Sequence, residues 1–425
     1  VAAAGRLERR LGLCDAVVIG AGSMIGAGVF AAWAPAAAAA GTGLLIGLAL
    51  AAAVALANAT SSAQLAAIHP ESGGTYVYGR RQLGPFWGYL AGWGFVVGKT
   101  ASSAAMALTV GAYLWPERER LVAVVAVLMI AAVNIGGLSR TVAVTRVLLS
   151  VSLTALVMVV VAGWTGGQAD LGRLTPIDAG PLEVLRSAGF LFFAFAGYAR
   201  IATLGEEVRQ PERTIPRAIP LALGAVLLVY AVVAVTALAT VDASAMADTD
   251  APLRLVLGDG DGPVSAVVRI GAGIAALGVL LNLIPGISRV ALAMARNREL
   301  PSWFAHIDAD RSLPLRAELA VTAVIVAIVV VTDLRNSIAL SGVAVLTYYA
   351  VTNAAALTLD AEQRRWPRGL AGAGLIGCLV LIGALPVAVV AVGLGVLALG
   401  ALVRSLTSPT TSGDPAASDD RAGGP

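Results

Sequence analysis

The sequence predicts an all-α membrane protein of about twelve transmembrane helices, two of them interrupted at mid-span. Three observations lead there. Of 425 residues, 58% are hydrophobic and 13% charged, against about 25% charged in a soluble domain, and the mean hydropathy is +0.84. Apolar stretches of the ~20 residues needed to cross a bilayer recur from end to end. Two of those stretches are broken by small residues: Gly20, Gly22, Gly26 and Gly28 around Ser23 in the first, and Ala196-Gly197 in the sixth.

Taken in order, the apolar stretches place spans at 14–38, 41–61, 85–114, 121–137, 142–164, 182–204, 215–241, 264–295, 315–331, 338–359, 370–385 and 387–403. A cytoplasmic N-terminus (1–13) precedes them. A Ser-, Thr-, Pro-, Gly- and Asp-rich tail (405–425) reads as disordered. The first stretch is too long for a signal-peptide core, and no small-residue cleavage site precedes a soluble domain, so no cleaved leader is expected. Arginines gather before the first span and after the second, fourth, sixth, eighth and tenth, while the opposite loops are acidic, as at Asp242, Asp248 and Asp250. By the positive-inside rule both termini face the cytoplasm, which requires an even number of spans. The expected location is the cytoplasmic membrane.

Composition also excludes classes. The net charge of +3 is small and the basic residues lie between apolar runs, which speaks for topology and against nucleic acid. Cys14 and Cys378 form no disulfide framework, and His69 and His306 have no partners for a metal site. Trp87, Trp93, Trp115, Trp164 and Trp303 lie near span ends, as interfacial anchors do. No Ser–His–Asp or paired-carboxylate set lies inside the membrane, so neither an enzyme nor a cofactor is indicated. Gly20-x-Gly22 with Gly26 approaches a dinucleotide-binding turn, but the first acid after Gly28 is Glu71. That fingerprint needs an acid about 20 positions on, and a soluble helix.

Glycine at membrane depth breaks a helix, and open backbone in lipid is tolerated only where it lines a cavity or binds something. Span one opens a set of five spans and span six opens the next five. An odd repeat inverts the second copy, and matched interruptions in two inverted halves point to a transporter binding site. The halves are 14–165 and 182–359, with 370–404 as two further spans. A half-helix N-terminus suits a carboxylate, and the bare carbonyls of the other half suit an ammonium. The same glycines also suit close helix packing.

The motifs resemble the amino acid–polyamine–organocation permeases. Gly22-Ser23-Met24-Ile25-Gly26-Ala27-Gly28-Val29-Phe30 is similar to that family's first-helix motif, and Pro70-Glu71-Ser72-Gly73-Gly74-Thr75-Tyr76 to its loop after helix two. Phe193-Ala194-Phe195-Ala196-Gly197-Tyr198, running on to Glu206-Glu207-Val208-Arg209-Gln210-Pro211, resembles its sixth helix and following loop. Ser288-Arg289, Ala293-Met294-Ala295-Arg296-Asn297 and Leu300-Pro301 resemble the end of its eighth. The resemblance implies five-plus-five inverted repeats (a LeuT-like fold), alternating access and small amino-compound substrates. It implies a substrate carboxylate at Ala27 and Gly28, an ammonium at the carbonyls of Met24, Phe193 and Ala196, and Phe193 as an aromatic lid. Ser23, Ile25, Gly26, Gly197, Tyr198 and Ala199 complete the expected site.

Lys99 is the only lysine. It lies roughly 20 Å from either end of span three, too far to reach the surface, so it must face the protein interior. A buried amine that gains and loses a proton can couple transport to the proton gradient. Some relatives carry a lysine in helix five thought to replace a sodium ion. The matching stretch here, 149–154, has none, and Lys99 is expected to take that role. Arg200 stands one position after Ala199, where some cation-selective relatives have a carboxylate. This favours neutral amino acids, with acidic ones second, over arginine, lysine or polyamines. In the middle of span eight only Asn282 offers a polar side chain, which makes sodium coupling the weaker expectation. Glu206 ends span six as a gate or an ion-pair partner. The expected partners are therefore an amino acid, protons and the lipid bilayer, with no obligate protein partner. A membrane sensor that binds without moving its ligand is the other class open to such a chain.

Overall fold

The computed structural model describes residues 11–69, 73–136, 142–202, 208–258, 262–308 and 313–407. Glu71, Glu206, Glu207, residues 1–10 and the tail beyond 407 lie outside the described residues. Eighteen helices follow one another. The first interrupted stretch comprises α1 (Leu13–Met24), α2 (Ala27–Ala31) and α3 (Trp33–Ala40), followed by α4 (Leu44–Ile68), α5 (Thr75–Leu83), α6 (Pro85–Leu114), α7 (Glu119–Ile135) and α8 (Val142–Thr165). The second comprises α9 (Pro181–Phe195), a 3-10 turn at Ala196–Tyr198 and α10 (Ala199–Ala202). After it come α11 (Pro211–Thr240), α12 (Ala243–Ala247), α13 (Pro252–Leu255), α14 (Pro263–Arg296), α15 (Leu315–Val331), α16 (Leu334–Leu357), α17 (Arg368–Ala384) and α18 (Val387–Thr407). Among the described residues there is no strand.

Every stretch expected to span the membrane coincides with a helix or a broken helix. Among the described residues, eight helical segments are long and apolar enough to cross a bilayer: Leu13–Ala31, Trp33–Ile68, Pro85–Leu114, Val144–Thr165, Pro211–Thr240, Pro263–Arg296, Leu334–Leu357 and Val387–Ser405. The helices α7, α15 and α17 have 17 residues each. The helix α5 lies in the stretch between expected spans: Gly73 and Gly74 turn the chain with positive φ, and it runs straight into a helix after them. The short α12 and α13 likewise lie between expected spans, in the acidic loop.

The helices α6 and α16 are the most enclosed of the long helices and pack against each other, with α14 on another side of α6. At one face of the bundle, Glu299 ties four elements together. It accepts from Tyr76 Oη at 2.6 Å, pairs with Arg80 and lies 3.7 Å from Arg404, whose guanidinium stands 5.0 Å over the Tyr89 ring. At the opposite face the arginines close helix ends. Arg269 donates to the carbonyls of Tyr113 and Leu114 at the end of α6, at 3.1 and 2.8 Å. Arg173 donates to Thr240 O at 2.9 Å, Arg186 to Ala384 O at 3.0 Å and Arg335 to Ala247 O. The last carbonyls of a helix lack intrahelical donors, and a cation there also meets the negative end of the helix dipole.

On that face Glu119 precedes the apolar part of α7 and lines a cavity of about 580 Å³ with Asp248, Asp250 and Arg254. Burial pushes its carboxyl from 4.5 up to about 7; Asp250 adds to the rise, Arg120 opposes it, and Asp333 adds a little more. Asp250 is raised as well, first by burial. A carboxyl that holds its proton more firmly in the folded state stabilises the fold below its unfolded pKa, and that stability is lost as pH rises through the folded one. Glu119→Gln keeps the neutral form at every pH. Its apparent melting temperature is expected to match wild type near pH 4 and to exceed it near pH 8, read by thermal unfolding in detergent. Parallel pH profiles for the two proteins would refute the assignment.

Candidate functional site

The first break is a backbone event. The helix α1 ends at Met24, Ile25 takes φ −77° and ψ 71°, and Gly26 takes φ −130° and ψ −147°. The chain then re-enters a helix that carries on from α2 into α3 through Ala32, whose φ and ψ are helical. The Gly26 N–H folds back onto Met24 O at 2.8 Å. The first N–H groups of the new helix have no carbonyl of their own turn to bond. The second break follows Phe195, where α9 tightens into the 3-10 turn of Ala196–Tyr198.

The two breaks face each other. A Cβ at Gly197 would collide with the Ser23 carbonyl and lie 2.8 Å from Met24 N, and one at Gly28 would lie 2.8 Å from Ala194 Cα. Backbone therefore touches backbone at both crossings, which only glycine permits. The expectation of close helix packing and the expectation of an open backbone both describe this contact: the glycines bring two interrupted helices together.

Side chains the sequence reading passed over complete the contact. Tyr230, in the middle of α11, places its hydroxyl 2.7 Å from Met24 O and 3.0 Å from Ala194 O. One hydroxyl proton is thus shared between a carbonyl of each break. Tyr349 of α16 donates to Ala196 O at 3.2 Å, and Lys99 Nζ of α6 donates to the same oxygen at 3.2 Å. Tyr113 donates to Phe30 O at 2.8 Å. Rings close around these bonds: Phe195 and Trp33 against Tyr230, with centroids at 5.1 and 6.2 Å, and Phe192, Tyr198 and Tyr348 against Tyr349 at 5.7, 5.0 and 5.0 Å. The available signal was a tyrosine at mid-span: a buried phenol needs an acceptor, and an interfacial anchor does not belong there.

The expected residues separate into groups. Met24, Ile25, Gly26, Gly28, Phe193, Ala196 and Tyr198 are buried at the contact, with Gly197 beside them and Lys99 reaching in, 8% exposed. The backbones of Ala27 and Ala199 begin α2 and α10. Ser23 turns back on its own helix, donating to Ile19 O at 2.8 Å, and Asn282 does the same with Gly278 O at 3.0 Å. Arg200 is partly exposed in α10. A cavity of about 400 Å³ lined by Glu183, Arg186, Asp333 and Arg335, like the one beside Glu119, has no residue of either break in its wall.

Long apolar helices, with polar groups gathered at two mid-helix breaks, are the build of a membrane transporter. A family model described as amino acid permease matches residues 11–411, and the chain belongs to that family, within the amino acid–polyamine–organocation group. An uncharacterised transporter of Mycobacterium bovis is 55% identical over 396 residues, covering 93% of this chain and 90% of its own length. A branched-chain amino acid permease of Bacillus subtilis is 24% identical, covering 88% of each chain. A chloroplastic cationic amino acid transporter of Arabidopsis thaliana is 26% identical, over 82% of this chain and 65% of its own.

Tyr230→Phe keeps the ring and removes a proton shared by the two breaks. Two buried carbonyls then lose a donor, at a cost of about 1–3 kcal/mol. The expected result is a lower apparent melting temperature and tighter-than-global loss of amide-exchange protection at 24–28 and 194–198. Unchanged exchange at both breaks would refute the bridging role.

Proposed function

We propose that this chain is a secondary active transporter of amino acids, neutral ones first, that works by alternating access with proton coupling or exchange. The observation that carries the proposal is the contact of the two breaks, each offering carbonyl oxygens, one beside a helix start. In this reading the substrate carboxylate lies against the N–H groups of Ala27 and Gly28, and its ammonium meets the carbonyls of Met24, Phe193 and Ala196, with Gly26 beside them. Phe193 closes over it, and Ser23, Ile25, Gly197, Tyr198 and Ala199 shape the rest of the wall. The backbone contacts at Gly28 and Gly197 then belong to a closed state, and substrate enters when the broken helices part.

Twelve crossings arranged as two inverted halves, 14–165 and 182–359, followed by 370–404, fit the positions of the helices. Both termini then face the cytoplasm of the cell, and the face with the arginine-closed helix ends faces out. Lys99 is the coupling group in this reading, and Arg200 and Glu206 serve as gate or selectivity residues. Asn282, bonded to its own helix, gives little support for a sodium site.

Relatives at about a quarter identity carry the names of both branched-chain and cationic transporters, so their names do not choose a substrate. Charge does. Among the described residues no carboxylate pairs with Lys99, and an ammonium already stands at the break, which disfavours a cationic side chain beside it.

The test is uptake of radiolabelled amino acids by the full chain in proteoliposomes. Neutral amino acids such as leucine are expected to enter faster than arginine by about tenfold, without a need for sodium, and with a rate that responds to an imposed pH gradient. In Lys99→Met that response is expected to vanish. Arginine taken up best would overturn the substrate class, and a full pH response in Lys99→Met would overturn the coupling role.

A further inference from the structure

The oxygen of Ala196 accepts two side-chain bonds at once, from Lys99 Nζ and from Tyr349 Oη, both at 3.2 Å. A carbonyl oxygen has two lone pairs, so these two donors occupy it. It lies at the first residue of the 3-10 turn where the second helix breaks, and carbonyls at such breaks are where an ammonium binds. The chain's only lysine thus already occupies the position that the reading above gives to the substrate's ammonium.

We propose that Lys99 is a tethered stand-in for the substrate ammonium. Protonated Lys99 and an amine-bearing substrate exclude each other at Ala196 O, so each substrate bound expels one proton and the protein exchanges amino acid for proton. This rests on the transport reading above and fixes the direction of its coupling.

Around Lys99 a displaced ammonium meets neutral hydroxyls and, among the described residues, no paired carboxylate. The side chain is 8% exposed, and α6 holds it far from either end. The hydroxyls around it in sequence are engaged: Thr100 donates to Val96 O, Ser103 donates to the Lys99 carbonyl, and Ser102 bonds Ser341 at 2.6 Å. From α16 come Tyr348 and Tyr349, and Arg335 at its far start, bonded to Ala247 O; from the 3-10 turn comes Tyr198, stacked on Tyr349, with Tyr348 edge-on to the same ring. From α14 comes Arg269, bonded to the end of α6. From α5 and α18 come Arg80, Arg81 and Arg404, the first and last of them on Glu299. From α7 comes Glu119, beside Asp250, and from α15 Glu318, buried at the start of its helix. Among the described residues no carboxylate forms an ion pair with Lys99. An unpaired charge in such a place is strongly disfavoured. Once the substrate takes Ala196 O, the N–H bond of Lys99 breaks, the amine keeps the electron pair, and the proton leaves to solvent.

Substrate affinity therefore rises with pH, by as much as about tenfold per unit where Lys99 titrates. The opposite sign holds if Lys99 and the substrate bind together.

The experiment uses the purified full chain. A thermal-shift screen against the twenty standard amino acids identifies the strongest binder. Calorimetry then measures its dissociation constant at about pH 6, 7 and 8, in buffers of differing ionisation heat that count protons. The proposal expects an affinity that rises about tenfold per pH unit across the range in which Lys99 is protonated, with about one proton released per molecule bound there. Lys99→Met is expected to bind with no pH dependence and no proton release, and more tightly than wild type at about pH 6. Affinity that is flat in the wild type, or protons taken up on binding, overturns the competition and leaves the transport reading standing. Stabilisation by none of the twenty overturns the transport reading, and the competition with it. If Lys99→Met does not fold, the wild-type proton count decides alone.

Discussion

A helix interrupted at membrane depth leaves carbonyl oxygens without donors, and the surrounding structure must supply them. Much of this protein is arranged to do so. Tyr230 divides one proton between Met24 O and Ala194 O, so a single side chain on a third helix serves both breaks. Lys99 and Tyr349, from two more helices, converge on Ala196 O. None of these bonds is strong alone, at about 0.5–1.5 kcal/mol for a neutral pair. Leaving the carbonyls bare would cost more, so the breaks and their donors are best understood as one unit. Because the donors come from outside the broken helices, the unit can be taken apart by moving those helices against the rest.

The glycines set how close that unit is drawn. Gly197 against Ser23 and Gly28 against Ala194 are backbone contacts, and any Cβ would hold the two helices apart. Farther out the chain anchors its frame at both faces. Glu299 gathers Tyr76, Arg80 and Arg404 at one, and arginines terminate helices at the other. The frame is tied at its ends while the centre is held by a few shared protons.

Much of this was legible in the sequence because hydrophobic length and helix-breaking glycine are local signals. The bounds of α6 and α15, and both break points, could be read from composition alone. Lys99 stood out because a lone lysine at the centre of an apolar run has no cheap alternative to a role inside the protein. Its partner did not stand out, since Ala196 contributes only a carbonyl and the pairing spans 97 positions. Tyr230 and Tyr349 were hidden in the same way: each lies in an otherwise apolar run, and what they bond is backbone on distant helices. The helix α5 was missed because its glycines announce a turn and nothing local announces the helix behind it. Arg173, Arg186, Arg269 and Arg335 lie off the arginine-rich face, and each closes a helix end.

The account's central claim is that the two breaks together hold the substrate. The most direct measurement is a cryo-electron-microscopy structure of the full chain in lipid nanodiscs, with a saturating amino acid that the protein transports. The account predicts ligand density between the breaks, its carboxylate against the N–H groups of Ala27 and Gly28 and its amino group on the carbonyls of Met24 and Ala196, with Lys99 Nζ moved away. Density elsewhere, such as in the cavity between Arg186 and Arg335, with Lys99 still on Ala196 O, would contradict it.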